Sequence, residues 1–484
     1  MTTYEYDLGV IGGGAAGLTV TAGAAQLGAK VILVEQEPQL GGDCLHFGCV
    51  PSKTLIKTAA VYHQMRHAER YGLPKVDLPP VEFDTVARRI REVIATIQPH
   101  DSPERFCKLG AQVLFGQAGF IDEQTVRAGD KNITAKQWLI ATGSTSATPP
   151  ITGLSHTPYL TNREIFSLKK LPESLIILGG GPIAIEMAQA FCRLGSRVEV
   201  IQRSGQILSK EDKDMADLVM ERLQEEGVTF HLNTTISEAR NTGNGREITF
   251  TNKEGREQTV RGEQLLIAMG RTANIDNMGL SAIGVKHSSR GITVDRRMRT
   301  SHSHIFAAGD VTGSYQFTHA AGYEGGIVIS NAIFHLPRKT DYRLMPWCTY
   351  TEPELASVGM NEKAAQKAGI DYTVWIEEFA NNDRSLAEGE KMGRIKLILD
   401  KKERPIGVQI LGLHGGDLIG EWVAALNGNL KLSTIASSVH PYPTLVEINK
   451  RVTGAVLSKK IFSAKVRKAL TFFFNLKGRA CEMD

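Results

Sequence analysis

The sequence predicts an α/β chain built around two doubly wound units, and three observations carry that expectation. YDLGVIGGGAAG at residues 6–17 runs an apolar strand into a glycine turn and then a helix of small residues. SLIILGGGPIAIEMA at residues 174–188 repeats that order. The third observation is bulk: 484 residues, 42% hydrophobic and 22% charged, suffice for about three soluble domains. A net charge of +4 is too mild to imply a nucleic-acid partner.

The first turn reads Gly12-x-Gly14-x-x-Gly17 and the second Gly179-x-Gly181-x-x-Ala184. A strand–turn–helix of this kind aims backbone N–H groups and a helix dipole at a pyrophosphate, so both units read as Rossmann-like dinucleotide sites. Counting 21 residues on from Gly14 reaches Glu35, a carboxylate able to accept from a ribose 2′-hydroxyl. The same count from Gly181 reaches Gln202, with Arg203 beside it. Without a carboxylate to repel a 2′-phosphate and with an arginine to attract it, the second site is expected to favour NADPH, NADH being the alternative. The first suits FAD or NAD.

No run of about 18 apolar residues is present, so no membrane span is expected. The start MTTYEYDLGVIGGG has neither a basic region nor a signal-peptide core, which points to the cytoplasm. Stable structural disulfides are uncommon there, which draws attention to two of the six cysteines, close together in GGDCLHFGCVPSK at residues 41–53. Five residues apart on an ideal helix, Cys44 and Cys49 would lie about 7.5 Å apart along the axis, beyond disulfide reach. A bridge requires a late or distorted helix, which Gly48 and Pro51 permit. Two free buried cysteines are the alternative. Zinc lacks support, because no second cysteine pair or histidine cluster has ligand spacing.

GGDCLHFGCVPSK resembles the redox-active signature of the class I pyridine nucleotide–disulfide oxidoreductases. LIATGS (139–144), IAMGRTANI (267–275) and HIFAAGDV (304–311) are similar to motifs of that family's FAD and nicotinamide domains. WCTYTEPELASVG (347–359) and PIGVQILGLHGGDLI (405–419) resemble its dimerisation domain. The resemblance implies FAD-binding segments at 1–148 and 273–340, an NAD(P) domain at 149–272 and an α+β dimerisation domain at 341–458, followed by an extension at 459–484. It implies a homodimer with a shared active site, in which two electrons pass from NADPH through FAD to a Cys44–Cys49 disulfide. Cys49 would be the flavin-proximal, charge-transfer thiol and Cys44 the outer one, with Lys53 near the flavin and Glu186 as its partner. FAD would be held by Gly12, Gly14, Ala16, Gly17, Glu35, Gly42, Asp43, Lys53, Ala118, Thr142, Gly143, Asp310 and Thr318. The pyridine nucleotide would meet Gly179, Gly181, Pro182, Ile183, Glu186, Gln202, Arg203 and Gly270. Cys107, Cys192 and Cys348 are expected to be buried packing groups.

Departures from the family pattern bear on the acceptor. The catalytic His of the disulfide reductases falls on Tyr442 in SSVHPYPTLVEINK, with Glu447 five residues on and His440 two residues earlier. Tyr titrates ~3.5 pH units above His, roughly 5 kcal/mol away from a base useful at neutrality. Tyr442 and the following Val-Glu resemble mercuric reductase, in which thiolates bind a soft ion. No Cys-x-x-Cys is read before the first strand and Cys481 stands alone where a cysteine pair is usual, so these two parts of that enzyme are not expected here. Asp43, where Thr is usual, adds a negative charge beside Cys44. The last stretch, Ser458 to Ala480, reads as one helix with Phe462, Val466, Ala469, Leu470, Phe473 and Leu476 on one face and Lys460, Arg467 and Lys468 opposite. Such a helix either lies on an anionic membrane or packs on the dimer.

The reading is an FAD-containing, NADPH-preferring homodimer passing electrons to a metal ion or thiol-reactive small molecule, with no metal-ligand set assigned. Three alternatives stay open: a dihydrolipoamide dehydrogenase-like disulfide reductase, a quinone reductase, and a slow redox-sensing flavoprotein.

Overall fold

A computed structural model describes residues 4–478 together with 480 and 481. It divides into two compact units, one of Met1–Ser209 with Met220–Tyr342, the other of Lys210–Val219 with Arg343–Asp484.

In the first unit, the fully buried strand Val31–Glu35 lies between Ala111–Phe115 and Tyr6–Ile11, and Tyr6–Ile11 pairs on its other edge with Lys131–Ile140. All four run parallel, and Ile305–Ala307 joins Lys131–Ile140 in the same sense. The helices Ala15–Gln26 and Thr318–Ala332 contribute to one core of this sheet through Val20, Ala24, Ile327 and Val328. Trp138 and Phe120 are in the other, their rings edge to face at 5.7 Å. Near-continuous Val/Ile/Leu runs such as VILVE are what a parallel sheet covered on both faces requires.

A second parallel sheet repeats the order: Thr229–His231, Arg197–Ile201, Ser174–Leu178, Gln264–Ile267. The two glycine turns are superimposable in their logic. Gly12 has φ 107° and Gly179 φ 116°, a region L side chains rarely enter. A Cβ on Gly12 would lie 2.3 Å from the Ala141 carbonyl oxygen, and one on Gly179 2.3 Å from that of Ala268. In both units the first glycine therefore lets the turn pack directly on the neighbouring strand's end.

The second unit is α+β. Its five strands run Trp347–Thr349, Glu354–Gly359, Pro405–Gly412, Arg394–Asp400, Tyr372–Glu378, all antiparallel. Gly415–Asn427 and Glu447–Ile461 contribute Trp422, Ile448 and Val452 to its core. Lys396, 1% exposed in its side chain, is neutralised by Asp212, Asp214 and Glu362.

The expected continuous helix from 458 to 480 is instead two. Glu447–Ile461 stops, and Ser463 caps a new helix, Ala464–Phe474, by accepting from the Val466 N–H. Asn475, left-handed at φ 52°, ends it. Phe462 and Leu476 are thereby excluded from the face assigned to them, and Arg479 and residues 482–484 lie outside the described residues. The three cysteines expected in the core are not buried: Cys107 is exposed, because Phe106 takes the inward face of its short helix, and Cys192 and Cys348 are half-buried.

Trp138 is fully buried and donates its indole N–H to the Gln124 carbonyl at 3.0 Å. Trp138→Ala is expected to lower unfolding free energy by about 3–5 kcal/mol in urea denaturation. A loss below about 1 kcal/mol would contradict this packing.

Candidate active site

The two cysteines sit on different helices. Cys44 belongs to Gly42–His46, and Cys49 opens Cys49–Arg66. Gly48 makes the break: a Cβ there would lie 2.9 Å from the Asp43 carbonyl oxygen and 3.2 Å from Cys44 Cα. The axis therefore bends at Phe47–Gly48, and the five-residue spacing no longer separates the sulfurs. The pair stands as two thiols, hydrogen-bonded to each other. Cys49 Sγ also lies 3.5 Å from Thr318 Oγ1.

The two thiols differ in acidity. The hydrogen bond from Cys44 chiefly lowers the Cys49 pKa to about 6; burial opposes it, and Thr318 and the Lys53 charge assist. The N-terminus of the Cys49–Arg66 helix favours a thiolate in the same way. The Cys44 thiol is pushed far up, because ionisation would remove its hydrogen bond to Cys49 and burial penalises the charge. One thiolate and one protonated thiol result.

Lys53, one turn on from Cys49, meets Glu186 at 2.8 Å, with the Glu186 side chain 6% exposed. Glu186 rises from Pro182–Leu194, the helix that follows the second glycine turn. Gly14 caps the first-turn helix and Gly181 its counterpart, with Pro182 at the first helical position. Ala16 and Gly17 lie in the first helix, and Ile183 is exposed near the start of the second.

Glu35 is 7% exposed and accepts from the N–H groups of Gly13 and Glu37 beneath the first turn. In the second unit Gln202 donates to Ser204 Oγ at 2.7 Å, and Arg203 is exposed. The Thr142 hydroxyl donates to the Asn274 carbonyl, and Asn274 returns bonds to Thr142 and Gly143. Gly270 accepts from the Ala147 N–H, and Ala118 begins a short strand.

Asp43 does not stand as a free charge beside Cys44. Arg271 donates to it at 3.0 Å and Asn162 at 3.1 Å. Arg271 also bonds Ser144 at 2.7 Å and lies 3.7 Å from Asp310, which accepts from the Ser144 hydroxyl at 2.6 Å. Burial nonetheless raises the Asp310 carboxyl. Arg271 and Asn162 were missed in the sequence; Arg271 at least adjoins the assigned Gly270, whereas nothing marked Asn162.

The loop at residues 440–447 departs from expectation. The Tyr442 hydroxyl donates to Asp383 at 2.9 Å, not to Glu447, and this bond holds the phenol above its ordinary pKa. Glu447 instead accepts from the Thr444 N–H at the start of its own helix. Tyr442 is 71% exposed. His440 is nearly buried, with Nε2 3.0 Å from Glu421, whose other oxygen accepts from Asn449 at 2.8 Å. His440 Nδ1 is buried and has no hydrogen-bond partner among the described residues. Glu421 and Asp383 arrive from distant segments, and sequence reading gave no signal for either.

With Cys49 holding a thiolate down to about pH 6, iodoacetamide should alkylate the reduced protein with a midpoint near that value. Below it the reactive form is lost. Cys44→Ala and Thr318→Ala should raise the midpoint toward the ordinary thiol value of about 8.5. A wild-type midpoint already there would refute the assignment.

The chain is similar to known proteins over most of its length. A family model described as pyridine nucleotide-disulphide oxidoreductase matches residues 6–325, and one for that family's dimerisation domain matches residues 345–452. A mercuric reductase of Streptomyces lividans is 33% identical over 470 residues, covering 96% of this chain and 97% of its own. A dihydrolipoyl dehydrogenase of Geobacillus stearothermophilus is 35% identical over 464 residues, with coverage of 94% and 97%. Among solved structures, the Cu(II) complex of the HOCl-induced flavoprotein disulfide reductase RclA from Escherichia coli aligns with TM-score 0.83 and 28% identity, over 93% of this chain and 100% of that one. The chain belongs to the FAD-dependent pyridine nucleotide-disulphide oxidoreductase family, with that family's dimerisation domain.

Proposed function

We propose that this protein is a homodimeric oxidoreductase that passes electrons from a reduced pyridine nucleotide, NADPH in preference to NADH, through FAD and the Cys44–Cys49 pair to a soft metal ion. The observation that carries the acceptor is the Tyr442–Asp383 bond. It keeps the phenol neutral and turned to a carboxylate, so the position where disulfide reductases need a proton acceptor holds none. A metal ion needs thiolate ligands and electrons instead. The names of the relatives, mercuric reductase and a Cu(II)-bound reductase, support that chemistry.

The residues fit FAD. The Gly12 turn admits no Cβ, the first-turn N–H groups are oriented for a pyrophosphate, and the buried Glu35 carboxylate suits a ribose. Segments 1–148 and 273–340 would hold it with Gly12, Gly14, Glu35, Asp43, Thr142, Gly143 and Asp310. Segment 149–272 would take the pyridine nucleotide through Gly179, Gly181 and Arg203, and 341–458 would form the dimer. When bound, FAD supplies two-electron transfer between the nucleotide and the cysteines. Lys53, neutralised by Glu186, contributes a fixed positive charge near Cys49. Two electrons and one proton convert the disulfide to the Cys49 thiolate and the Cys44 thiol. The Cys49 thiolate then binds the cation, the pair returns to disulfide with loss of that one proton, and one Hg(II) or two Cu(II) ions take up the two electrons.

A second reading, a dihydrolipoamide dehydrogenase-like reductase, is favoured by one feature. Glu421 orients the His440 imidazole, whose Nδ1 has no partner among the described residues, as a carboxylate orients a catalytic base.

Anaerobic assays with NADPH and Hg(II), Cu(II), lipoamide, glutathione disulfide or quinones separate the readings. Metal-ion turnover abolished by Cys49→Ser is expected. Quinone turnover surviving in that variant would assign electron exit to the flavin instead. Tyr442→His should raise lipoamide activity by at least about tenfold. Robust lipoamide turnover by the wild type, lost in His440→Gln, would establish the second reading. Arg203→Ala should shrink the NADPH preference in kcat/KM, and an unmodified enzyme favouring NADH would reject the nucleotide assignment.

A further inference from the structure

We propose that the terminal helix Ala464–Phe474 docks the protein on an anionic lipid surface. None of its residues is buried, and Phe472, Phe473 and Phe474 are 82%, 75% and 71% exposed. Val466, Ala469, Leu470 and Phe473 fall on one side at 100° per residue, with Lys468 centred opposite and Lys465 and Arg467 flanking it. The three phenylalanines spread through about 200°, so the last turn is apolar around most of its circumference. Solvating that much aromatic surface is unfavourable, and burial in the headgroup–acyl boundary relieves it.

Charge selects the occupant. Lys465, Arg467 and Lys468 on the helix and Lys477 beyond it make no ion pair among the described residues. The sequence has no acidic residue between Glu447 and Glu482. A second copy of this helix would set like charges together, whereas anionic headgroups neutralise them. The match to the family's dimerisation domain ends at residue 452, short of this helix. Lys459 and Lys460 are engaged within the second unit, over the Trp375 ring and with Glu403, so the break at Phe462–Ser463 separates a helix with a buried face from one that buries no residue. Eleven residues span roughly 16 Å, too short for the ~30 Å hydrocarbon core, so the helix lies in the interface.

The test is co-sedimentation of the full FAD-loaded chain with vesicles of phosphatidylglycerol and phosphatidylcholine in equal parts, against phosphatidylcholine alone. At least about tenfold stronger binding to the anionic vesicles is expected at ~0.1 M salt, weakening toward ~1 M. The triple variant Phe472→Ser, Phe473→Ser, Phe474→Ser and a chain lacking residues 462–484 should both lose it, with FAD absorbance and sedimentation mass unchanged. Equal vesicle binding by full and shortened chains would overturn the proposal. So would a fall in oligomer mass on shortening, which would assign the helix to a second copy.

Discussion

The bend at Phe47–Gly48 is the constraint from which the rest of the site follows. A straight helix through GGDCLHFGCVPSK would hold the sulfurs of Cys44 and Cys49 a turn and more apart. Because backbone fills the space where a Gly48 Cβ would be, the chain can end one helix after His46 and begin another at Cys49. That puts Cys49 at a helix N-terminus, within reach of Thr318 and one turn from Lys53. The unequal acidity of the pair is then a matter of geometry: the Cys44 thiol donates to Cys49, and the Thr318 hydroxyl and the Lys53 charge further favour the thiolate there.

Around this bend the unit is held by polar groups from several segments. Arg271 bonds Asp43 and Ser144, Ser144 bonds Asp310, and Asn162 ties Asp43 to the Phe47 carbonyl. Four stretches of chain, at residues 144, 162, 271 and 310, thus converge on the segment 43–47 that carries Cys44. A carboxylate at residue 43 that would have raised the cysteine's cost of ionisation is instead matched by a guanidinium and an amide. Asp43 and Arg271 therefore act as one unit, and substituting either would leave the other's charge half-buried.

The second unit contributes a different kind of specificity. Its sheet and helices form an ordinary α+β core, yet the loop at 440–447 has redistributed the partners that a histidine–glutamate pair would use. A phenol bonded to Asp383, a glutamate turned to its own helix start and an imidazole held on Glu421 stand where that pair would be.

Much was legible in the sequence because backbone demands leave residue signatures. Gly12 and Gly179 mark turns that no side chain could enter, VILVE marks a covered parallel strand, and the 21-residue count reaches Glu35, a buried carboxylate bonded to the first turn. The Lys53–Glu186 pairing was readable only through family resemblance, since 133 residues separate them. Other features required the folded chain. Arg271 on Asp43, Asp383 on Tyr442 and Glu421 on His440 are long-range pairs that no local period announces. The terminal helix was legible as amphipathic, but its break at Phe462–Ser463 was not, because a serine cap within an apolar pattern carries little weight against periodicity. Sequence determined the elements and the chemistry available to them, as both depend on neighbours along the chain. Tertiary structure decided which charges are paired and which thiol ionises, as both depend on groups that meet only in space.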